Sequence, residues 1–264
     1  MRILRTRPFA PCLLALPFLT AMPSVALAEI TNDSFAGPGW WSRPAYDGSD
    51  SRRGEWIPIV RYLGEPWFVR TTQDVFEGGI RTEVLPGIHA GAQFAYEAGR
   101  HASESEFLAR HDVPDVGSGA SMGFHVEWDQ FVGPMPLNLL VRGRQNLALD
   151  RGAQVDLRLA AGIFRGGPVG MGVFAQATWA DAKSAGSHYG ITPQQSPTTG
   201  LPAFRPASGV MYAAYGWLGS VDLSSKWTVT LSLETHRLEG DVAHSPLAER
   251  RTNLYGSIGP AYRF

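Results

Sequence analysis

The sequence predicts an all-β fold, an antiparallel transmembrane β-barrel of about 12 strands with short periplasmic turns and long extracellular loops. Three observations carry that prediction. Apolar and polar residues alternate over stretches about ten residues long, the length that crosses a bilayer at a tilt. Aromatic residues gather near the ends of those stretches, as they do at a membrane–water interface. The connections alternate between tight turns and long polar loops, a parity that a soluble sandwich has no reason to keep.

The first element is a leader. Arg2, Arg5 and Arg7 precede the apolar run CLLALPFLTAMPSVALA, which ends in Ala26-Leu27-Ala28. A positive n-region, an apolar stretch and a small-x-small site predict export, with cleavage between Ala28 and Glu29. Residues 1–28 are then a signal peptide and 29–264 the barrel domain. Pro11, Pro17 and Pro23 interrupt the run and argue against a membrane-anchoring helix. The single cysteine, Cys12, leaves with the leader, so disulfides play no part in the exported chain. The formal net charge of −1 becomes more negative as three arginines depart. No basic patch stands out, and no nucleic-acid partner is expected.

Strands are expected at 36–44, 54–63, 66–73, 77–84, 87–98, 119–130, 134–146, 152–164, 168–181, 209–221, 225–238 and 253–264. In AQVDLRLAAGI, Ala153, Val155, Leu157, Leu159 and Ile163 oppose Gln154, Asp156 and Arg158. KWTVTLSLETH sets Trp227, Val229, Leu231 and Leu233 against Thr228, Thr230, Ser232, Glu234 and His236. Period-two alternation of this kind fits a strand and not a helix. GEP, LPG, GPMP, RGGP and LSSK read as tight turns; the segments 99–119, 182–208 and 239–251 read as long loops. Trp40-Trp41, Trp67-Phe68, Trp128, Trp179, Trp227 and Tyr262 form the expected aromatic girdle. The chain is rich in glycine and aromatics (30 Gly, 8 Trp, 8 Tyr, 13 Phe), yet its mean hydropathy is only −0.11. A barrel reconciles the two, because alternation hides its apolar face from an average.

The last strand, LYGSIGPAYRF, ends on a bulky apolar side chain where most chains fray. In a closed barrel that strand must hydrogen-bond to the first. Phe264 is then expected at the periplasmic rim, facing the lipid interface. A C-terminal strand ending this way resembles the signature read by the outer-membrane assembly machinery, which makes Tyr262 and Phe264 a candidate assembly signal. Export and a barrel together predict the outer membrane of a Gram-negative cell, and an even strand count puts both termini in the periplasm. The expected surroundings are outer-membrane lipid, lipopolysaccharide and the barrel-assembly machinery.

Residues on the polar parity line the lumen. Glu97, Glu127, Asp129, Arg142, Arg144, Asp156, Arg158, Glu234 and Arg263 carry both signs and are expected to pair across the interior. His89, His125 and His236 fall on the same parity. His101 and Ser103 lie close together, but a nucleophile needs an oriented base and nothing in the sequence orders this pair. The seven histidines show no metal-ligand spacing, and no phosphate-cradling glycine motif opens a helix. No catalytic, cofactor-binding or metal residue is assigned, and the chain is expected not to be an enzyme.

Four segments add a resemblance. RPAYDGSDSRRGEWIPIVRYLGEPWF, YGITPQQSPTTGLPAF, RLEGDVAHSPL and the final AYRF together resemble the MltA-interacting protein (MipA)/OmpV family of outer-membrane proteins, in the family's order and across nearly the whole exported chain. The resemblance implies a non-enzymatic scaffold that joins murein-remodelling enzymes, a lytic transglycosylase and a murein synthase, to the outer membrane. Two other roles are open: a small pore, suggested by the charged lumen, and a surface adhesin, suggested by the 182–208 loop.

Overall fold

In the computed structural model, which describes residues 33–72 and 75–264, the strands close into one antiparallel barrel. In order they are β1 (Phe35–Pro44), β2 (Arg52–Leu63), β3 (Trp67–Thr72), β4 (Val75–Leu85), β5 (Ile88–Glu97), β6 (Gly119–Val132), β7 (Met135–Asn146), β8 (Ala153–Gly166), β9 (Val169–Ala180), β10 (Gly209–Asp222), β11 (Trp227–Leu238) and β12 (Thr252–Arg263). Every strand end falls within two residues of the expected one. Each strand pairs with its sequence neighbours, and β12 closes on β1. Phe35 stands opposite Arg263, and the Phe264 amide donates to the Ser34 carbonyl at 3.2 Å. The candidate cleavage site at Ala28 and Glu29 lies outside the described residues.

Alternation does the sorting. On β8, Val155, Leu157 and Leu159 point out while Asp156 and Arg158 are buried inside. Backbone polar groups are consumed by the ladders, so a closed barrel can present an apolar outer face to lipid. No helix of the described residues is long and apolar enough to cross a membrane.

The two rims differ as expected. One carries the start of β1, the end of β12 and the connections 64–66, 86–87, 133–134, 167–168 and 223–226. Gly167, with φ +54° and open space where a Cβ would stand, is glycine for its backbone conformation alone. The other rim carries 45–51, 98–118, 147–152, 181–208 and 239–251. The β3–β4 hairpin is the exception on this rim, since Thr72 pairs directly with Val75. Being short, β3 meets β2 only from Arg61–Arg70 to Leu63–Phe68. From Arg52 to Val60, β2 therefore has no strand partner on that edge among the described residues, and the 98–118 loop reaches it through an Arg53–Glu104 ion pair.

Trp67, Trp128, Trp179 and Trp227 face outward near the rims. Phe264 is 67% exposed and stacks on Tyr62 with ring centres 6.5 Å apart. Trp41 and Phe68, expected in the girdle, instead turn inward and are 6% and 1% exposed. The reason is geometric: adjacent residues of a strand face opposite sides, so Trp40-Trp41 and Trp67-Phe68 each send one ring to lipid and one to the lumen.

The long loops fold over their rim. Helix α1 (Glu106–Arg110) is capped by Ser105, and α2 (Ala182–Tyr189) by Asp181, whose carboxylate accepts from the Ser184 amide at 2.7 Å. A single turn, α3 (Ser196–Thr199), follows. Leu108, Val113, Ile191 and Leu247 pack with Ala45 and Tyr46; Ala185, Tyr189 and Val242 pack with Met211 and Leu238. The 182–208 segment is thus part of the cover.

Candidate functional site

The middle of the lumen is an ion-pair layer. Arg70, Glu77, Arg81, Glu127, Arg142, Arg144 and Asp156 project inward from β3, β4, β6, β7 and β8, each 5% exposed or less. Arg142 reaches Asp156 at 2.7 Å and Glu77 at 3.0 Å. Arg144 reaches Asp156 at 3.2 Å and Glu97 at 3.0 Å. Arg70 bridges Glu77 and Glu127, and Arg81 lies 3.6 Å from Glu127. The Thr178 hydroxyl donates to Asp156 at 2.8 Å. An ion removed from water costs several kcal/mol unless its charge and lone pairs are answered, which is why these groups interlock across strands. Side chains lining a water-filled channel keep exposed surface. Glu77 and Asp156 at 0% keep none, so this side of the lumen is packed.

Next to the layer, on β8, β9 and β10, the inner wall carries an apolar patch. Ala160, Phe174, Ala214 and Leu218 form a cluster, with the Arg158 guanidinium 3.8 Å from the centre of the Phe174 ring. A cavity of about 80 Å³ remains beside it, touched by Phe35, Trp41 and Leu140.

Above the ion pairs lies a second chamber of about 150 Å³, covered by the loops and lined by Tyr46, Asp47, Arg100, His188, Tyr189, Tyr212 and Tyr255 among others. Asp47, in the β1–β2 connection, accepts from the Tyr255 hydroxyl at 2.5 Å and lies 3.3 Å from His236 Nδ1. Burial alone would raise the Asp47 pKa; the opposing imidazole and the two hydrogen bonds outweigh it and hold the carboxyl below its ordinary value. The His236 ring stacks on Tyr212 at 5.0 Å with the planes 5° apart. Burial pushes the Tyr46 and Tyr189 hydroxyls up and the Arg100 and His188 cations down.

The structure brings together most of the polar-parity set. Glu97, Glu127, Arg142, Arg144 and Asp156 join the layer. Asp129 accepts from Asn138 at 2.8 Å near the short-turn rim, and Arg263 pairs with Asp222 there. His125 meets Gln93 at 2.7 Å, and His236 joins Asp47. Arg70, Glu77 and Arg81 complete the layer without having been singled out, although Glu77 and Arg81 share a parity on β4 opposite the outward Phe76 and Ile80. Arg100 was hidden differently, since no periodicity reads a loop. His101 pairs with Asp115 at 3.1 Å in an exposed loop, and no hydrogen bond joins it to Ser103 among the described residues. Tyr262 and Phe264 sit together at the closing rim, with Tyr262 edge-on to Trp227 at 5.3 Å.

A solved outer-membrane channel from Pseudomonas putida F1 is similar in fold, with TM-score 0.51 and 10% identity over 89% of this chain and 96% of that one. The NanC porin matches with TM-score 0.48 and 9% identity, over 88% of this chain and 100% of that one. LpxR from Salmonella typhimurium matches with TM-score 0.45 and 9% identity, over 90% and 92% of the two chains. Comparison with curated protein sequences gives no match. The sequence model of one family, described as MltA-interacting protein MipA, matches residues 36–264. With that match spanning the closed barrel from its first strand to its last residue, the chain belongs to the MipA family and is an outer-membrane β-barrel protein.

Proposed function

We propose that this barrel is a sealed outer-membrane scaffold that holds murein-remodelling enzymes, a lytic transglycosylase and a murein synthase, at the inner face of the membrane. The observation that supports this reading over a pore is the packed ion-pair layer at mid-lumen, where Glu77 and Asp156 have no exposed surface. The family's description, an MltA-interacting protein, supplies the partner class. In this reading the leader 1–28 is removed, the chain ends and short turns face the periplasm, and the loop-covered rim faces outward. Tyr262 and Phe264 present the assembly signal. No catalytic role is assigned; Asp115 orients His101, but among the described residues no hydroxyl or thiol hydrogen-bonds to that imidazole to serve as a nucleophile.

Crosslinking of the tagged protein in intact envelopes, followed by identification of what copurifies, tests the scaffold. A lytic transglycosylase or murein synthase is the expected catch; recovery of only lipopolysaccharide and assembly factors would count against it. Planar-bilayer recordings of the refolded protein test the seal, with no steady ion conductance expected.

A further inference from the structure

The chamber beneath the long loops holds a buried arginine that has no carboxylate within ion-pair distance among the described residues. Arg100 is 7% exposed. Its backbone is pinned to Val116 by two hydrogen bonds of 2.7 and 2.8 Å, and its guanidinium sits 5.6 Å from the centre of the Tyr46 ring. Nη1 donates to the His188 carbonyl at 2.5 Å, and Nε has no partner. Arg43, Arg70, Arg81, Arg142 and Arg144 each have a carboxylate within 4.0 Å. Among the described residues, Arg100 has none; Asp115 acts on it from farther off, and that carboxylate is exposed and paired with His101. The two carboxylates of the chamber are already committed, Asp47 to Tyr255 and His236, and Glu97 to Arg144 and Asn146.

We propose that this chamber is a binding site for a small carboxylate carried on a flat apolar ring, with Arg100 as its anion anchor. A guanidinium presents parallel N–H donors that match the two oxygens of a carboxylate, and burial strengthens the match by excluding water. The walls favour a ring. Tyr46, Tyr189, Tyr212 and Tyr255 surround the space, and its volume of about 150 Å³ is that of an engineered cavity known to hold benzene. Tyr189, which lines the space, offers its hydroxyl as a polar contact to a ring substituent. The site lies above the ion-pair layer, on the side of the loops, and is independent of any partner at the opposite rim.

Calorimetric titration of the full-length protein in detergent micelles tests the proposal, with benzoate, benzyl alcohol and inorganic phosphate as probes. Benzoate is expected to bind at least about tenfold tighter than benzyl alcohol, with phosphate weaker than both. Arg100→Gln should erase the preference for benzoate, while Arg100→Lys, which keeps the charge but loses the fork, should retain part of it. Equal binding of benzoate and benzyl alcohol, binding of phosphate alone, no binding of any probe, or full benzoate affinity in Arg100→Gln would each overturn the assignment. If Arg100→Gln loses the heat-modifiable gel mobility of a folded barrel, the three-probe comparison on the unaltered protein decides, together with Tyr189→Trp. That variant fills the chamber and should abolish benzoate binding in a barrel that still folds.

Discussion

Between β3 and β8 the inner wall is knitted by arginines and carboxylates that reach across as many as four strands. On the other side, Pro58, Pro38 and Pro260 stand side by side on β2, β1 and β12. Pro38 pairs with Pro58, and with Ala36 opposite Tyr262 and Trp40 opposite Ile258 the register puts Pro260 across from Pro38. All three face outward. The Pro58 carbonyl accepts from the Thr71 hydroxyl at 3.1 Å, so its missing N–H lies on the free edge of β2 and removes no ladder bond. Pro38 and Pro260 are different. Gly259 turns its carbonyl to Thr230 on β11, so Pro260 turns toward β1, where it meets Pro38. Two donors are missing from the one seam that closes the barrel. The comparison teaches that closure here rests on close approach. Carbonyls of Pro260 and Pro38 lie over the Cα atoms of Gly37 and Gly259, where Cα–H groups stand in for the absent amides.

The sharpest way to break the seam follows from that contact. A Cβ on Gly37 would lie 1.9 Å from the Pro260 oxygen, and one on Gly259 would lie 2.3 Å from the Pro38 oxygen. Neither backbone can retreat without parting the strands. Gly37→Val or Gly259→Val is expected to abolish closure, read as loss of heat-modifiable mobility and degradation in the cell. Gly143→Val, on β7 with nothing within 4 Å of its Cβ position, should fold normally. On the knitted side, Arg142→Met leaves Glu77 and Asp156 buried without their shared cation, and should cost about 3–5 kcal/mol in urea unfolding from lipid vesicles.

These two regions were unequally legible in the sequence. Strand positions were readable because each outward row is apolar over a full crossing, as in Val155, Leu157 and Leu159. The inward charges of β7 and β8 followed from the same parity. Arg70 and Glu77 stayed unread because β3 is short, and Gly78-Gly79 interrupts the apolar row of β4. The proline row could not be read at all. Pro38, Pro58 and Pro260 are far apart in the chain, and only the register aligns them. Arg100 and its chamber belong to loops, whose packing against α2 and β10 obeys no period.

Restoring donors sharpens the comparison. Pro38→Ala with Pro260→Ala returns two N–H groups, each contributing about 1 kcal/mol as a hydrogen bond. The unfolded chain regains roughly 0.4–1 kcal/mol of freedom per lost proline, so global stability should barely move. Amide exchange should move instead. In the unaltered protein, the Trp40 and Ile258 amides beside the proline pair are expected to exchange faster than the amides between β6 and β7. The double substitution should close most of that gap. Unchanged seam exchange would mean that the glycine contacts alone already hold it shut.

The smallest effect joins the seam to the loops. Asp47 follows β1 directly and holds Tyr255 of β12 at 2.5 Å, so its charge ties the loop end of the seam. Its folded pKa lies below the ordinary carboxylate value, through the opposing His236 imidazole and the hydrogen bonds that outweigh its burial. The resulting stabilisation is present above the unfolded-state pKa and is lost as pH falls through the depressed folded value. Urea midpoints measured from about pH 7 to about pH 3 should therefore converge for the unaltered protein and Asp47→Asn, because the variant has no charge to lose. A difference that stays constant across that range would show that Asp47 acts at the seam through shape and not through charge.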